Sequence, residues 1–347
     1  MVEAPRAPIV ILATFLLHTT MAFAGDGAVG TATLDLQDKA TGRKVTTELW
    51  FKAAGDARIE QFSPRPPLRA IPIAPNAQPQ PPLRKQPLIV ISHGNWGTRF
   101  SQGWLALELV KSGYVVLSTS HPGTIGDDQS VAGRYRLWDR SRDVSFALDE
   151  VLKDPKWAAL IDQDRIGFVG HSFGGWTGVS LAGGRYDAAG QRAFCANAAK
   201  KDLYCDATLK DDIAAVPARD GGNSFKDARI KAFYIMASGP GQGFTSDSMK
   251  SINAPFVVDT AQFDEILDPT VHSSTLARQI PSAREVVRPV GHFAYVPECR
   301  WLVGPILSKL ADLPLCDDPR GVDRALVHKQ VAPEVVAFFD KTLAKAD

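Results

Sequence analysis

The chain has 347 residues, 45% of them apolar and 22% charged, an ordinary globular composition that excludes disorder throughout. Its formal net charge of +1 leaves no surplus of Lys and Arg to neutralise a row of phosphates. With no zinc-finger spacing and no basic helix either, the sequence argues against a nucleic-acid partner.

Residues 1–24 read as a secretory signal peptide. Arg6 precedes an uncharged run from Ala7 to Leu17, and Ala22-Phe23-Ala24 is a small-x-small cleavage site, so the mature chain is expected to begin at Gly25. The run is shorter than the roughly 20 apolar residues that span a bilayer core, so no stable membrane anchor is expected. No Cys follows the cleavage site to carry a lipid. The mature product, residues 25–347, is read as a single domain exported to the periplasm or the extracellular space.

Thr, Leu and Val flank the turn Lys39-Ala40-Thr41-Gly42, which predicts a hairpin of residues 31–35 with 45–51 at the antiparallel edge of a sheet. Residues 63–87 are rich in proline, from Pro64 to Pro82, and read as an extended surface loop without regular structure. A regular rhythm then begins. Leu88-Ile89-Val90-Ile91 is a strand, 100–111 a helix closed by Gly113, 114–119 a strand, 138–152 a helix, and 165–169 a strand. The second helix sets Val144, Leu148, Val151 and Leu152 on one face. This alternation predicts an α/β fold, a mostly parallel sheet with helices on both faces and its chemistry at the carboxyl ends of the strands.

Over residues 185–229 the rhythm lapses into a cap-like insertion that encloses Cys195 and Cys205. It resumes with strands at 230–236, 254–258 and 285–290 and ends on an amphipathic helix, 332–343. Four cysteines, Cys195, Cys205, Cys299 and Cys316, suggest two disulfides in an oxidising compartment. Of the three possible pairings, Cys195 with Cys205 and Cys299 with Cys316 closes the shortest loops. No Cys sits in a CxxC or beside a suitable His, so no metal is expected, and no GxGxxG follows a strand, so no dinucleotide cofactor is expected.

Gly170-His171-Ser172-Phe173-Gly174 fits G-x-S-x-G, a pattern short enough to recur by chance. Here it follows the strand Ile166-Gly167-Phe168-Val169 and precedes a helical segment, which is the context of a nucleophile elbow in the α/β-hydrolase fold. A serine hydroxyl needs a base within hydrogen-bond reach. His292 is the candidate because it sits just past a strand, in Pro289-Val290-Gly291-His292-Phe293, whereas His272 and His328 read as surface residues. Asp259, Asp264, Glu265 and Asp268 all follow the preceding strand; Asp264 is the preferred acid, with Asp259 and Asp268 the alternatives. The backbone amides of Asn95 and Phe173 are the candidate oxyanion donors. His93, His121 and His171 read as braces around the site. Trp96, Trp176, Phe293 and Tyr295 are candidates to line the pocket, with core packing the alternative.

Taken together, Ser92-His93-Gly94, His121-Pro122-Gly123, Gly170 to Gly175, Asp264-Glu265-Ile266-Leu267 and Gly291-His292-Phe293 resemble one family. It is the bacterial predicted dienelactone-hydrolase group related to platelet-activating-factor acetylhydrolases, and the resemblance runs from about Gly30 to the terminal helix, Cys299 and Cys316 included. It implies a serine esterase acting on a small-molecule ester of short acyl chain. Two departures bear on the substrate: Ser172 stands where dienelactone hydrolases carry cysteine, and Gly94-Asn95-Trp96-Gly97 replaces the usual Gly-Leu-Gly step. The same triad also serves amidases, peptidases and lipases, and a non-catalytic binding protein can reuse the scaffold.

Overall fold

The structure, a computed structural model, describes residues 27–63, 65, 67–197, 204–205, 220–300, 304–311 and 314–345. The expected signal peptide lies outside the described residues, as does much of the expected insertion. The strands are β1 (Val29–Gln37), β2 (Lys44–Lys52), β3 (Glu60–Phe62), β4 (Ile71–Pro75), β5 (Gln86–Ser92), β6 (Val115–Thr119), β7 (Thr124–Ile125), β8 (Asp128–Gln129), β9 (Ile161–His171), β10 (Ile230–Met236), β11 (Phe256–Ala261) and β12 (Ala283–Arg288). The helices are α1 (Gly103–Lys111), α2 (Val131–Tyr135), α3 (Trp138–Lys153), α4 (Pro155–Ala158), α5 (Phe173–Ala182), α6 (Ala188–Asn197), α7 (Ser246–Lys250), α8 (Ser273–Gln279), α9 (Gly304–Ala311) and α10 (Arg324–Thr342), with one 3-10 turn at His292–Tyr295.

Ten strands form one sheet in the order β12-β11-β10-β9-β5-β6-β2-β1-β4-β3. From β12 to β6 every pairing is parallel. The hairpin β1–β2 forms as expected, with Thr31 opposite Trp50, and joins the parallel block through β2 against β6. Two short strands lie beyond it, and one corrects the reading of residues 63–87: β4 runs through Pro72 and Pro75. It is tolerated there because β4 makes only two residue pairs with β1 and three with β3, so few ladder donors are required of it.

The unbroken apolar run of β5 has a simple cause: both faces of the sheet are covered. Leu88 and Val90 point into one core with Trp138, Val144 and Leu148 of α3 and Val179 of α5. Ile89 and Ile91 point into the other with Leu105 and Leu109 of α1 and Val331, Val335 and Phe339 of α10. The terminal helix is longer than its apolar pattern suggests. It starts at the cap Asp323, whose side chain accepts from the amides of Ala325 and Leu326, and Pro333 lies inside it. Both disulfides pair as expected, Cys195–Cys205 and Cys299–Cys316, with Cα atoms 5.0 and 5.8 Å apart.

Candidate active site

Central strand β9 delivers Ser172 to the first turn of α5 with φ 55° and ψ −118°, a left-handed conformation that L residues rarely adopt. The turn that imposes it depends on glycine. A Cβ on Gly170 would strike the Gly174 carbonyl, one on Gly174 the Ser92 carbonyl, and one on Gly175 the Ser238 hydroxyl. The first two obstacles are backbone and do not yield. Ser172 is also tied across the sheet, its amide donating to the Met236 carbonyl at 3.0 Å. Every residue of α5 is buried, so the helix N-terminus is aimed at the serine by packing on all sides.

His292 opens the 3-10 turn after β12, and its Nδ1–H donates to Asp264 Oδ2 at 2.8 Å. That bond leaves Nε2 as the lone-pair nitrogen, the one a proton acceptor needs. The histidine is clamped from two further sides: its amide donates to Glu265 Oε2 at 3.0 Å, and its carbonyl accepts from His171 Nε2 at 3.0 Å. The rings of His171 and His292 lie 4.9 Å apart, so the His292 imidazole is held beside the residue that precedes the serine. Burial opposes protonation of His292, but the charge of Asp264 and its hydrogen bond outweigh that, and the imidazole is raised above its ordinary value. Burial, reinforced by His292, pushes His171 down to about 3, so it stays a neutral donor.

The alternative acids are occupied elsewhere. Asp259 is fully buried, paired with Arg288 at 2.8 Å and accepting from the hydroxyls of Tyr234 and Tyr295 at 2.8 and 2.7 Å. Asp268 accepts from the amide and hydroxyl of Thr270, a local turn. The surface reading of His272 and His328 is corrected, for both are buried. His272 Nδ1 accepts from the Gly241 amide at 3.0 Å. His328 stacks on Trp104 at 3.8 Å while donating to the Ala294 carbonyl. Each ring covers apolar area and spends a nitrogen on backbone, which suits the interior as well as a surface does.

The loop after β5 sits directly against the serine: a Cβ on Gly94 would lie 2.9 Å from the Ser172 Cβ. This loop carries Asn95, while Phe173 is the first residue of α5. His93 braces the loop as expected, donating from Nδ1 to the Gly94 carbonyl at 2.6 Å and accepting the His121 amide on Nε2 at 3.1 Å. Beneath it lies a group the sequence reading passed over, the buried guanidinium of Arg140 on α3. A signal existed, because Arg140 falls four residues before Val144 on the apolar row of that helix. Glu265, noted in the sequence only as an acid that follows the strand, holds the His292 backbone.

Of the pocket candidates, Trp96 is half exposed and has φ 63°, and Phe293 is half-buried with its ring 5.2 Å from that of His292. For Trp176 and Tyr295 the structure favours the alternative, core packing. Trp176 stacks on Phe244 at 5.1 Å, and Tyr295 is engaged with Asp259. Two surface cavities of about 420 Å³ lie elsewhere, one beside Trp104 and Glu298 and one beside Pro82 and Tyr114, and neither is lined by Ser172, Asp264 or His292.

Residues 89–340 match the model of the alpha/beta hydrolase family, well over half of the chain. The chain belongs to that family. This hydrolase is 26% identical over 196 residues to cutinase est2 of Thermobifida alba, an alignment covering 56% of the chain and 47% of the relative. It is 32% identical over 101 residues to cutinase 2 of Thermobifida cellulosilytica, covering 28% of the chain and 35% of the relative. The hydrolase thus spans about half, or less, of the curated relatives it matches. Its fold is that of the ferulic acid esterase from Streptomyces cinnamoneus, with a TM-score of 0.59 over 93% of this chain and 92% of that one at 19% identity.

Proposed function

We propose that this protein is an exported serine carboxylic-ester hydrolase that cleaves small or short-acyl esters through an acyl-enzyme, with Ser172, Asp264 and His292 as its triad. The observation that carries this reading is the His292–Asp264 hydrogen bond of 2.8 Å, with the His292 ring 4.9 Å from that of His171, the neighbour of a strained serine at the end of the central strand. In that arrangement Ser172 Oγ attacks the ester carbonyl while His292 Nε2 takes its proton. The tetrahedral oxyanion is met by the backbone amides of Asn95 and Phe173. His292 then returns the proton to the departing alcohol, and water repeats the sequence on the acyl-enzyme.

Ester chemistry is supported by the relatives, which are named as cutinases and a ferulic acid esterase. Short acyl chains are supported by the resemblance to the dienelactone-hydrolase and platelet-activating-factor acetylhydrolase group. Export to the periplasm or the extracellular space is supported by two disulfides and by the leader pattern of residues 1–24. No helix among the described residues is long and apolar enough to cross a membrane.

The deciding experiment is a series of p-nitrophenyl esters from acetate to palmitate, assayed below and above their aggregation points, beside matched amides. The expected result is highest kcat/KM on acetate or butyrate and little turnover of amides. A jump in rate on aggregates makes the protein a lipase, preference for the amides makes it an amidase, and failure of Ser172 to react with a fluorophosphonate makes it a binding protein. Intact mass of the exported product tests the leader, with a chain starting at Gly25 expected.

A further inference from the structure

Arg140 is 1% exposed, yet among the described residues its guanidinium donates to no carboxylate. Nε donates to Thr177 Oγ1 at 3.1 Å, Nη1 to Thr124 Oγ1 at 2.6 Å, and Nη2 to Ser92 Oγ at 3.3 Å and to the His93 carbonyl. The carboxylate one turn along α3, Asp143, is committed elsewhere. It accepts from Arg43 Nε at 2.7 Å and Nη2 at 2.8 Å and from His121 Nδ1 at 3.1 Å. His121 completes that chain through Nε2 and Ser92 Oγ at 2.9 Å. Burial, partly offset by Asp143, lowers Arg140 to about 9, so it remains charged at neutral pH. A buried cation held by neutral acceptors is costly, and an apolar side chain of similar volume would fill the space without that cost.

What the guanidinium joins accounts for its presence. Ser92 and His93 form the root of the loop that carries Asn95, and Gly94 of that loop touches Ser172. Thr124 holds the far end of the same loop, its carbonyl accepting the Trp96 amide at 3.0 Å. Thr177 lies one turn into α5 and donates to the Phe173 carbonyl at 3.0 Å. One planar fork therefore fastens both ends of one donor's loop and the first turn of the other donor's helix.

We infer that Arg140 is a positioning residue for the oxyanion hole, setting the separation between the Asn95 and Phe173 amides through its bonds to His93, Ser92, Thr124 and Thr177. The inference rests on the esterase reading above. A rigid five-donor fork suits this role and a lysine ammonium does not, since only the fork reaches three segments in fixed directions.

The test compares the parent with Arg140→Met, Arg140→Lys, Thr177→Val and Thr124→Val, each normalised to Ser172 counted by a fluorophosphonate. Turnover of p-nitrophenyl acetate is measured beside inhibition by butylboronic acid, whose adduct with the serine is tetrahedral. Displacing a donor by a fraction of an ångström acts on the transition state, so Arg140→Met should lose on the order of 10²-fold in kcat with KM little changed. Boronate Ki should rise in proportion, Arg140→Lys should not rescue, and the two threonine variants should fall between. A folded Arg140→Met that keeps its kcat and boronate affinity overturns the inference, as does lost turnover without weakened boronate binding. If Arg140→Met does not fold, Thr177→Val and Thr124→Val decide, and parent-like kcat and Ki in both overturn it. A parent that the fluorophosphonate fails to label at Ser172 overturns the esterase reading itself, an outcome distinct from any difference among the variants.

Discussion

In the proposed triad Ser172, His292 and Asp264 serve one proton transfer, so their removal should not be additive. Ser172→Ala and His292→Ala are each expected to lower kcat on p-nitrophenyl acetate by on the order of 10⁴ or more with KM little changed, and the double variant should be hardly worse. The neutral imidazole is the competent form. Because Asp264 raises the histidine, kcat/KM should climb with pH through an inflection above the ordinary imidazole value of 6.5. In Asp264→Asn the raising charge is gone while burial remains, so the inflection should move to lower pH as the plateau falls. A pH–rate profile of both proteins checks this, and an unmoved inflection would separate Asp264 from the base. Ser172 and His292 were legible as candidates because each follows a strand, Ser172 in a constrained motif, whereas Asp264 was preferred over Asp259 and Asp268 by loop position alone, and the structure hydrogen-bonds it to His292. Arg140 was passed over, since an arginine between Arg136 and Arg142 reads as solvated helix charge, although its place one turn before Val144 on the apolar row sets it apart.

At the scale of elements, the parallel block β5, β6, β9, β10 was readable to within a few residues because its strands are buried on both faces. The misreadings fall where local chemistry was overruled by neighbours. Proline excludes a strand only where its missing amide is needed, and β4 asks little of it. The start of α10 was missed because the apolar pattern begins late, while the helix is initiated by Asp323. That cap gives a direct test: Asp323→Ala should reduce the free energy of unfolding in urea by about 1 kcal/mol.

For the molecule as a whole, the two disulfides close separations of 10 and 17 residues outside the sheet. Cys299–Cys316 matters more broadly than its loop suggests, because Cys299 also bridges to Leu68 and Arg324 donates to the Pro297 and Leu315 carbonyls on both sides of the bond. Replacing Cys299 and Cys316 together by serine should cost roughly 2–4 kcal/mol in urea unfolding. The pairing followed from spacing, since both partners lie close in sequence. The bridge from Cys299 to Leu68 did not, because the two lie more than two hundred positions apart.

The position of β12 carries one more consequence. It is the outermost strand, bonded only to β11, and much of it faces solvent, Val287 included. Edge strands fray before the interior opens. The proposed base, His292, hangs from that strand, so the protein should go silent before it comes apart. In a urea titration, esterase activity is expected to vanish at a lower concentration than the far-ultraviolet circular dichroism of the sheet, and coincident transitions would refute it.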